Sequence, residues 1–187
     1  MMRALTLTQP WAGLVASGIK LVENRPRRAP ATLIGQRFAI HASRAIDEDV
    51  YARIMDIDSD HRLTKLDYGD GMIAQVIPTD ARWYRLSRIT SAVIAVATLD
   101  REVHTSGPDN CPLEADGSVA VDLAGQYRWF FGPIGYVLRD VVALPTPVPC
   151  KGALGFWSLS DEVERAVVEQ LAKERTAQRS LLGKMMP

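Results

Sequence analysis

An α+β fold is predicted for this chain, with strands through its middle, helices flanking them, and a further helix at the C-terminus. Three observations predict it. Residues 89–99 read as a central strand: Ile94, Val96 and Thr98 take one face and Val93, Ala95, Ala97 and Leu99 the other, so both faces are largely apolar. Trp11, Leu14 and Val15 fall at helical spacing between Pro10 and Gly18. Val163, Val167 and Leu171 repeat at four-residue steps behind Ser160, the stripe of a terminal helix.

The 187 residues are 47% hydrophobic and 24% charged, the profile of one soluble globular domain with a substantial core. Formal net charge is zero, which argues against a chain coated with cations for non-specific nucleic-acid binding. The charges are nonetheless unevenly spread. Arg3, Lys20, Arg25, Arg27, Arg28, Arg37 and Arg44 face a single acid, Glu23, in the first 44 residues. Asp47, Glu48, Asp49, Asp56, Asp58, Asp60, Asp67, Asp70 and Asp80 then reverse the balance. A basic face and an acidic face on one body are expected. Cys111 and Cys150 show neither metal spacing nor a disulfide framework, so they read as reduced thiols in a cytoplasmic protein. Gln9 and Pro10 interrupt the apolar bias of the N-terminus, which is not read as a signal peptide, and no run reaches the length of a membrane span.

In chain order, residues 3–7 are β-propensive. Pro10 suits the first turn of the helix that follows, with Thr8 or Gln9 as its cap, and Gly18 suits a left-handed stop. Residues 21–25 extend as a strand, Glu23 and Arg25 on one side, Val22 and Asn24 on the other. Pro26 and Pro30 bracket a basic loop holding Arg27 and Arg28. Residues 37–42 read as a strand and residues 43–57 as a helix, with Ile46, Val50 and Ile54 in register. Residues 56–71 are polar and acidic and read as a loop; residues 72–77 fit a short strand or a helical turn. After the central strand, residues 102–126 read as a long loop, and residues 127–131 and 134–144 as strands split at Gly132-Pro133. Pro145, Pro147 and Pro149 stiffen the approach to a closing strand at Phe156 and Trp157. The basic tail beyond Ala177 is expected to fray.

The combination Gly18, Lys20, Glu23, Arg25 spells G-x-K-x-x-E-x-R behind Gln9-Pro10-Trp11-Ala12. It resembles the opening motif of the ASCH domain, a family of PUA-like β-barrels. Lys151-Gly152-Ala153-Leu154-Gly155-Phe156-Trp157 is similar to that family's closing strand, and Ile40-His41-Ala42-Ser43 to the strand after its motif. The resemblance implies a small PUA-like β-barrel flanked by helices over residues 1–160, with an insert around 56–88, and residues 161–187 as a C-terminal helix and tail. It also implies a cleft beside the motif that holds RNA or DNA.

Lys20, Glu23 and Arg25 are the candidate centre. A surface ion-pair cluster would explain them without function; the resemblance favours a site. Glu23 has the chemistry of a general base, a desolvated Lys20 that of a base or nucleophile, and Arg25 that of a phosphate clamp. Lys20 and Glu23 are therefore the candidate catalytic pair of a hydrolase acting on a modified nucleoside or RNA. Some relatives in this fold resemble acetylcytidine amidohydrolases that use a Lys and a Thr three residues later. Lys20 matches the former, but Glu23 stands where the Thr is expected. The candidate nucleic-acid or nucleoside contacts are Gln9, Trp11, Lys20, Arg25, Arg27, Arg28, His41, Trp83 and Lys151. Arginines would track phosphates and aromatic rings would stack a splayed base. For Trp11 core packing competes with stacking, and for His41 a structural role competes with lining the cleft. His41, His61 and His104 share no ligand pattern, so no metal is expected, and no phosphate loop or dinucleotide fingerprint calls for a cofactor. Two functions follow: a module that binds RNA or DNA, and a hydrolase centred on Lys20 and Glu23.

Overall fold

The computed structural model describes residues 1–52, 66–68, 71–73, 81–105 and 111–185. It is an α+β fold. Strands β1 (Arg3–Gln9), β2 (Val22–Arg25), β3 (Arg37–Ile46), β6 (Ala92–Thr105), β7 (Pro112–Leu113), β8 (Ile134–Pro149) and β9 (Phe156–Ser158) form one sheet. A separate hairpin pairs β4 (Leu66–Tyr68) with β5 (Gly71–Ile73). Helix α1 (Trp11–Ala16) follows β1, α2 is described over 48–52, α3 is Ala81–Leu86 and α4 is Asp161–Met185. A 3-10 turn covers Ala31–Leu33 and a longer 3-10 stretch covers Val121–Trp129.

The sheet runs β2-β8-β6-β3-β1-β9, with β7 on the end of β6. Its pairs are antiparallel except β1 with β3. The path is open, not the closed barrel that the resemblance implies, but its ends curl toward each other. Arg25 of β2 donates to the Thr6 carbonyl of β1 at 3.3 Å, and Tyr136 of β8 stacks on Phe156 of β9 at 6.0 Å. The concave side holds Leu5, Phe38, Ile40, Ile94, Leu99 and Leu138, with Ala12 and Val15 of α1. The convex side holds Val93, Val96, Leu144 and Val148 under Val167 and Leu171 of α4. Each such aliphatic chain contributes about 1.5–3 kcal/mol when fully buried, so these two layers fix the curl.

The turn after α1 shows the sequence at work. Gly18 has φ +79°, and the N–H groups of Gly18 and Ile19 bond the carbonyls of Val15 and Leu14 at 2.9 and 3.0 Å. That double closure stops the helix and aims the chain into β2. At the other end, the Gln9 side chain accepts from the Gly13 N–H at 2.9 Å and so caps the first turn.

Several elements differ from expectation for identifiable reasons. The helix expected from residue 43 begins at 48, because β3 runs on to Ile46 and Asp47 caps the turn, accepting from the Val50 N–H at 3.1 Å. Ile46 is thus a strand residue, and Ile54 lies outside the described residues. The two faces of β6 do not alternate strictly. Ile40 pairs with Ala95 and His41 with Val93, which leaves Ile94 as an extra residue and shifts the phase, so Ala95 joins the concave layer and Val96 the convex one. The loop expected over 102–126 is partly strand, since Glu102 to His104 still pair with β8. Residues 127–129 end the 3-10 stretch instead of opening a strand: the Phe130 N–H bonds the Tyr127 carbonyl, and Trp129 is buried. β8 continues through its three prolines to Pro149, and α4 continues to Met185. β4 and Gly71 occupy ground expected to be loop, while Met72 and Ile73 of β5 begin the segment expected as a short strand or a helical turn. Residues 53–55 of the expected helix and 56–65, 69–70 and 74–80 of the expected insert lie outside the described residues. No helix among the described residues is long and apolar enough to cross a membrane.

Candidate functional site

β2 carries two charged groups into the sheet, and the turn before it supplies a third. Lys20 is 1% exposed, and its Nζ lies 2.8 Å from Glu23 Oε2. It also donates to the Val22 carbonyl and sits 5.8 Å over the Trp11 ring. Glu23 Oε1 lies 3.2 Å from Arg25 Nη2. Burial pushes the Lys20 pKa down, opposed by Glu23, which keeps an ammonium favourable by charge and hydrogen bond. The ammonium, carboxylate and guanidinium expected to converge do converge. Asn24, on the opposite side of β2, donates to the Trp129 carbonyl at 2.7 Å and accepts from the Phe131 N–H at 3.0 Å. The strand is thereby pinned on both sides and Arg25 is aimed.

Arg25 links this cluster to a cleft of about 290 Å³. Its floor is formed by Leu5 and the rings of Tyr136 and Phe156; Arg3, Arg25, Arg27 and Arg28 stand around it. Arg27 and Arg28 are exposed on the proline-bracketed loop. That loop is tied down, because Tyr136 Oη donates to the Arg27 carbonyl at 2.8 Å. Arg3 is held by Ser158 Oγ at 3.0 Å and the Phe156 carbonyl at 2.5 Å. Lys20 and Glu23 do not line this cleft; Glu23 is joined to it by its ion pair with Arg25, and Lys20 by its contact with Glu23.

Other expected contacts are elsewhere. Gln9 is fully buried: its amide donates to the Leu86 and Ile89 carbonyls at 2.8 and 2.6 Å and its oxygen caps α1, so it ties α1 to α3 instead of meeting a ligand. Trp83 is 3% exposed, stacked on Tyr51 at 6.2 Å within a cluster of Leu14, Val50 and Trp129. It is core, not a stacking platform, because α3 turns it inward while Arg82, Tyr84 and Arg85 face out. Trp11 packs edge-on to Trp129 at 6.4 Å and lids Lys20, which places it with the core. Lys151 is exposed but lines a different hollow, of about 520 Å³, with Cys150, Trp157 and Glu162.

His41 is 1% exposed. Its Nε2 donates to the Cys150 carbonyl at 3.1 Å, and its ring meets Trp157 edge-on at 5.6 Å. Nδ1 has no hydrogen-bond partner among the described residues. Burial pushes its pKa down, and the bond to Cys150 opposes that. It supports the segment over it: a side chain on Gly152 would stand 2.4 Å from the ring. Both cysteines are free thiols. Among the described residues no cluster of His, Cys, Asp and Glu has the arrangement of a metal site.

Sequence reasoning missed Arg3, Tyr136 and Phe156 as cleft residues. The signal lay in strand register, since Tyr136 pairs with Glu23 and Phe156 with Leu5, and such pairing is not written in local composition.

No family model matches the chain, and no curated protein matches it. Solved structures similar to it include ASCH from Zymomonas mobilis, at 16% identity over 90% of this chain and 94% of that one, with a TM-score of 0.44. A Tyr-to-Phe variant of that protein gives 17% identity, 90% and 96% coverage and a TM-score of 0.44, and a Ser-to-Ala variant gives 16%, 90%, 94% and 0.43. The family named in these structures is the one the opening motif resembles. At this level the likeness is one of chain trace, and no residue role is carried across.

Proposed function

We propose that this chain is an ASCH-type nucleic-acid-binding protein of the cytoplasm, engaging single-stranded RNA or DNA through the cleft below the basic loop. The unit that does so is residues 1–160, with residues 161–187 as an appended helix. One observation carries the reading: four guanidiniums surround a hollow of about 290 Å³ floored by Tyr136 and Phe156. A base entering there meets apolar ring surface, and its flanking phosphates meet Arg27 and Arg28. Phosphate contacts fix the position of the strand and make its affinity salt-dependent, and stacking of a base on the rings adds sequence-tolerant affinity. Lys20 and Glu23 hold the Arg25 fork in place.

Binding of a fluorescent single-stranded octanucleotide, titrated against salt, tests the reading. Affinity falls steeply with salt, and the double variant Arg27→Glu, Arg28→Glu binds at least tenfold more weakly with a salt slope smaller by about 1.4, each of the two phosphate contacts being worth about 0.7 on single strands. An unchanged affinity in that variant removes the reading.

A hydrolase reading has one observation in its favour, the depressed pKa of Lys20 beside Glu23. Turnover of an acylated nucleoside or of single-stranded RNA, abolished by Lys20→Ala in a folded protein, establishes it; absence of product from both retires it.

A further inference from the structure

We propose that Leu154 is a wedge that fills the gap left when one base is drawn out of a nucleic-acid duplex into the arginine-rimmed cleft. The inference rests on the reading of that cleft as a base site. Leu154 is 99% exposed, at the tip of the segment joining β8 to β9. A lone exposed leucine is ordinary on a protein surface; this one is distinguished by how it is held and where. The segment is short and anchored on both flanks. On one side, the Cys150 N–H bonds the Ser91 carbonyl at 3.0 Å, the Cys150 carbonyl accepts from His41, and Gly152 lies so close to the sheet that a side chain there would stand 2.4 Å from His41 and 2.9 Å from Thr6 Oγ1. On the other side Phe156 is paired with Leu5. Gly155, at φ +65°, turns the chain from the exposed tip directly into the cleft wall, which Gly155 and Phe156 themselves line.

An apolar tip anchored on both flanks and one residue from a cleft of this size is the arrangement that base extrusion needs. Unstacking a base leaves an apolar gap in the duplex, and an inserted leucine covers it. The extruded base gains the ring surface of the cleft in exchange for its stacking. Exposed cations are available for the phosphates of a displaced nucleotide: Arg27 and Arg28 line the cleft, and Lys151 lies three residues before Leu154 on the same segment. No bond is made or broken; the step is a conformational exchange.

The test compares wild type with Leu154→Ser, a substitution at a fully exposed position. Three probes are used in DNA and RNA forms: a matched duplex, the same duplex with one central mismatch, and the single strand. Wild type binds the mismatched duplex about tenfold more tightly than the matched one, because a mismatched base costs less to extrude. Leu154→Ser loses about tenfold on both duplexes and nothing on the single strand. The DNA and RNA arms report which duplex is the partner. Equal affinity for matched and mismatched duplexes, or a Leu154→Ser variant that binds both duplexes as wild type does or weakens duplex and single strand alike, overturns the wedge while leaving the cleft reading in place. Failure of wild type to bind any single strand overturns the cleft reading, and the wedge with it.

Discussion

Glu23→Gln isolates the charge that holds the site together. The amide has nearly the volume of the carboxylate, so packing is retained, but Lys20 keeps its ammonium at 1% exposure with only the Val22 carbonyl and the Trp11 ring around it. Removing one member of a buried pair costs about 3–5 kcal/mol. The lower end applies here, because Lys20 can shed its proton. Its pKa is already depressed by burial, and loss of Glu23 removes the group that raises it. The sign follows from linkage. The folded protein holds this proton less tightly than the unfolded chain does, so stability rises with pH toward the ordinary lysine value of 10.5, and it rises more steeply in the variant. The expected loss is about 3 kcal/mol near neutral pH. It shrinks on alkalinisation by up to about 1.4 kcal/mol per pH unit. Urea denaturation reads this as a midpoint lowered by about 1.5 M, for a slope of about 2 kcal/mol per molar. A loss under about 1 kcal/mol, or one that does not change with pH, would refute the picture of a buried ammonium dependent on Glu23.

Phe156→Ala removes the ring surface at the cleft and should weaken single-strand binding by about 1–3 kcal/mol, the worth of stacking one base; anisotropy titration measures it, with circular dichroism confirming the fold. Trp83→Ala should cost about 3–5 kcal/mol of stability as a core truncation while leaving affinity of the folded protein unchanged, which thermal melts and binding together check. His41 sets a pH limit. Its folded pKa lies below 6.5, so its contribution to stability is complete above 6.5 and is lost as pH falls through that value toward the folded one. Melting temperatures should therefore drop with acid over that window, and His41→Gln should flatten the slope.

Local chemistry made the central features legible. Gly18 had to be left-handed to end so short a helix, and two charges at alternate positions of a strand had to share a side, so the Lys20–Glu23–Arg25 cluster followed from spacing alone. What stayed hidden depended on partners far along the chain. Arginines beside Trp83 suggested exposure, yet in a helix neighbours in sequence face different ways. Gln9 looked available because polar residues usually are; three long-range and local bonds to backbone groups consume it. β6 reads as ending at Leu99 until β8 supplies partners as far as His104. Tyr136 and Phe156 meet only because the two ends of the sheet curl together, which no stretch of sequence records.

A crystal structure of the protein with a short single-stranded oligonucleotide addresses the cleft most directly. One base should lie against Phe156 and Tyr136, with its neighbouring phosphates within hydrogen-bond reach of Arg27 and Arg28 and the Arg25 guanidinium still on Glu23. An oligonucleotide seated elsewhere, with the arginine-rimmed hollow empty, would contradict the account.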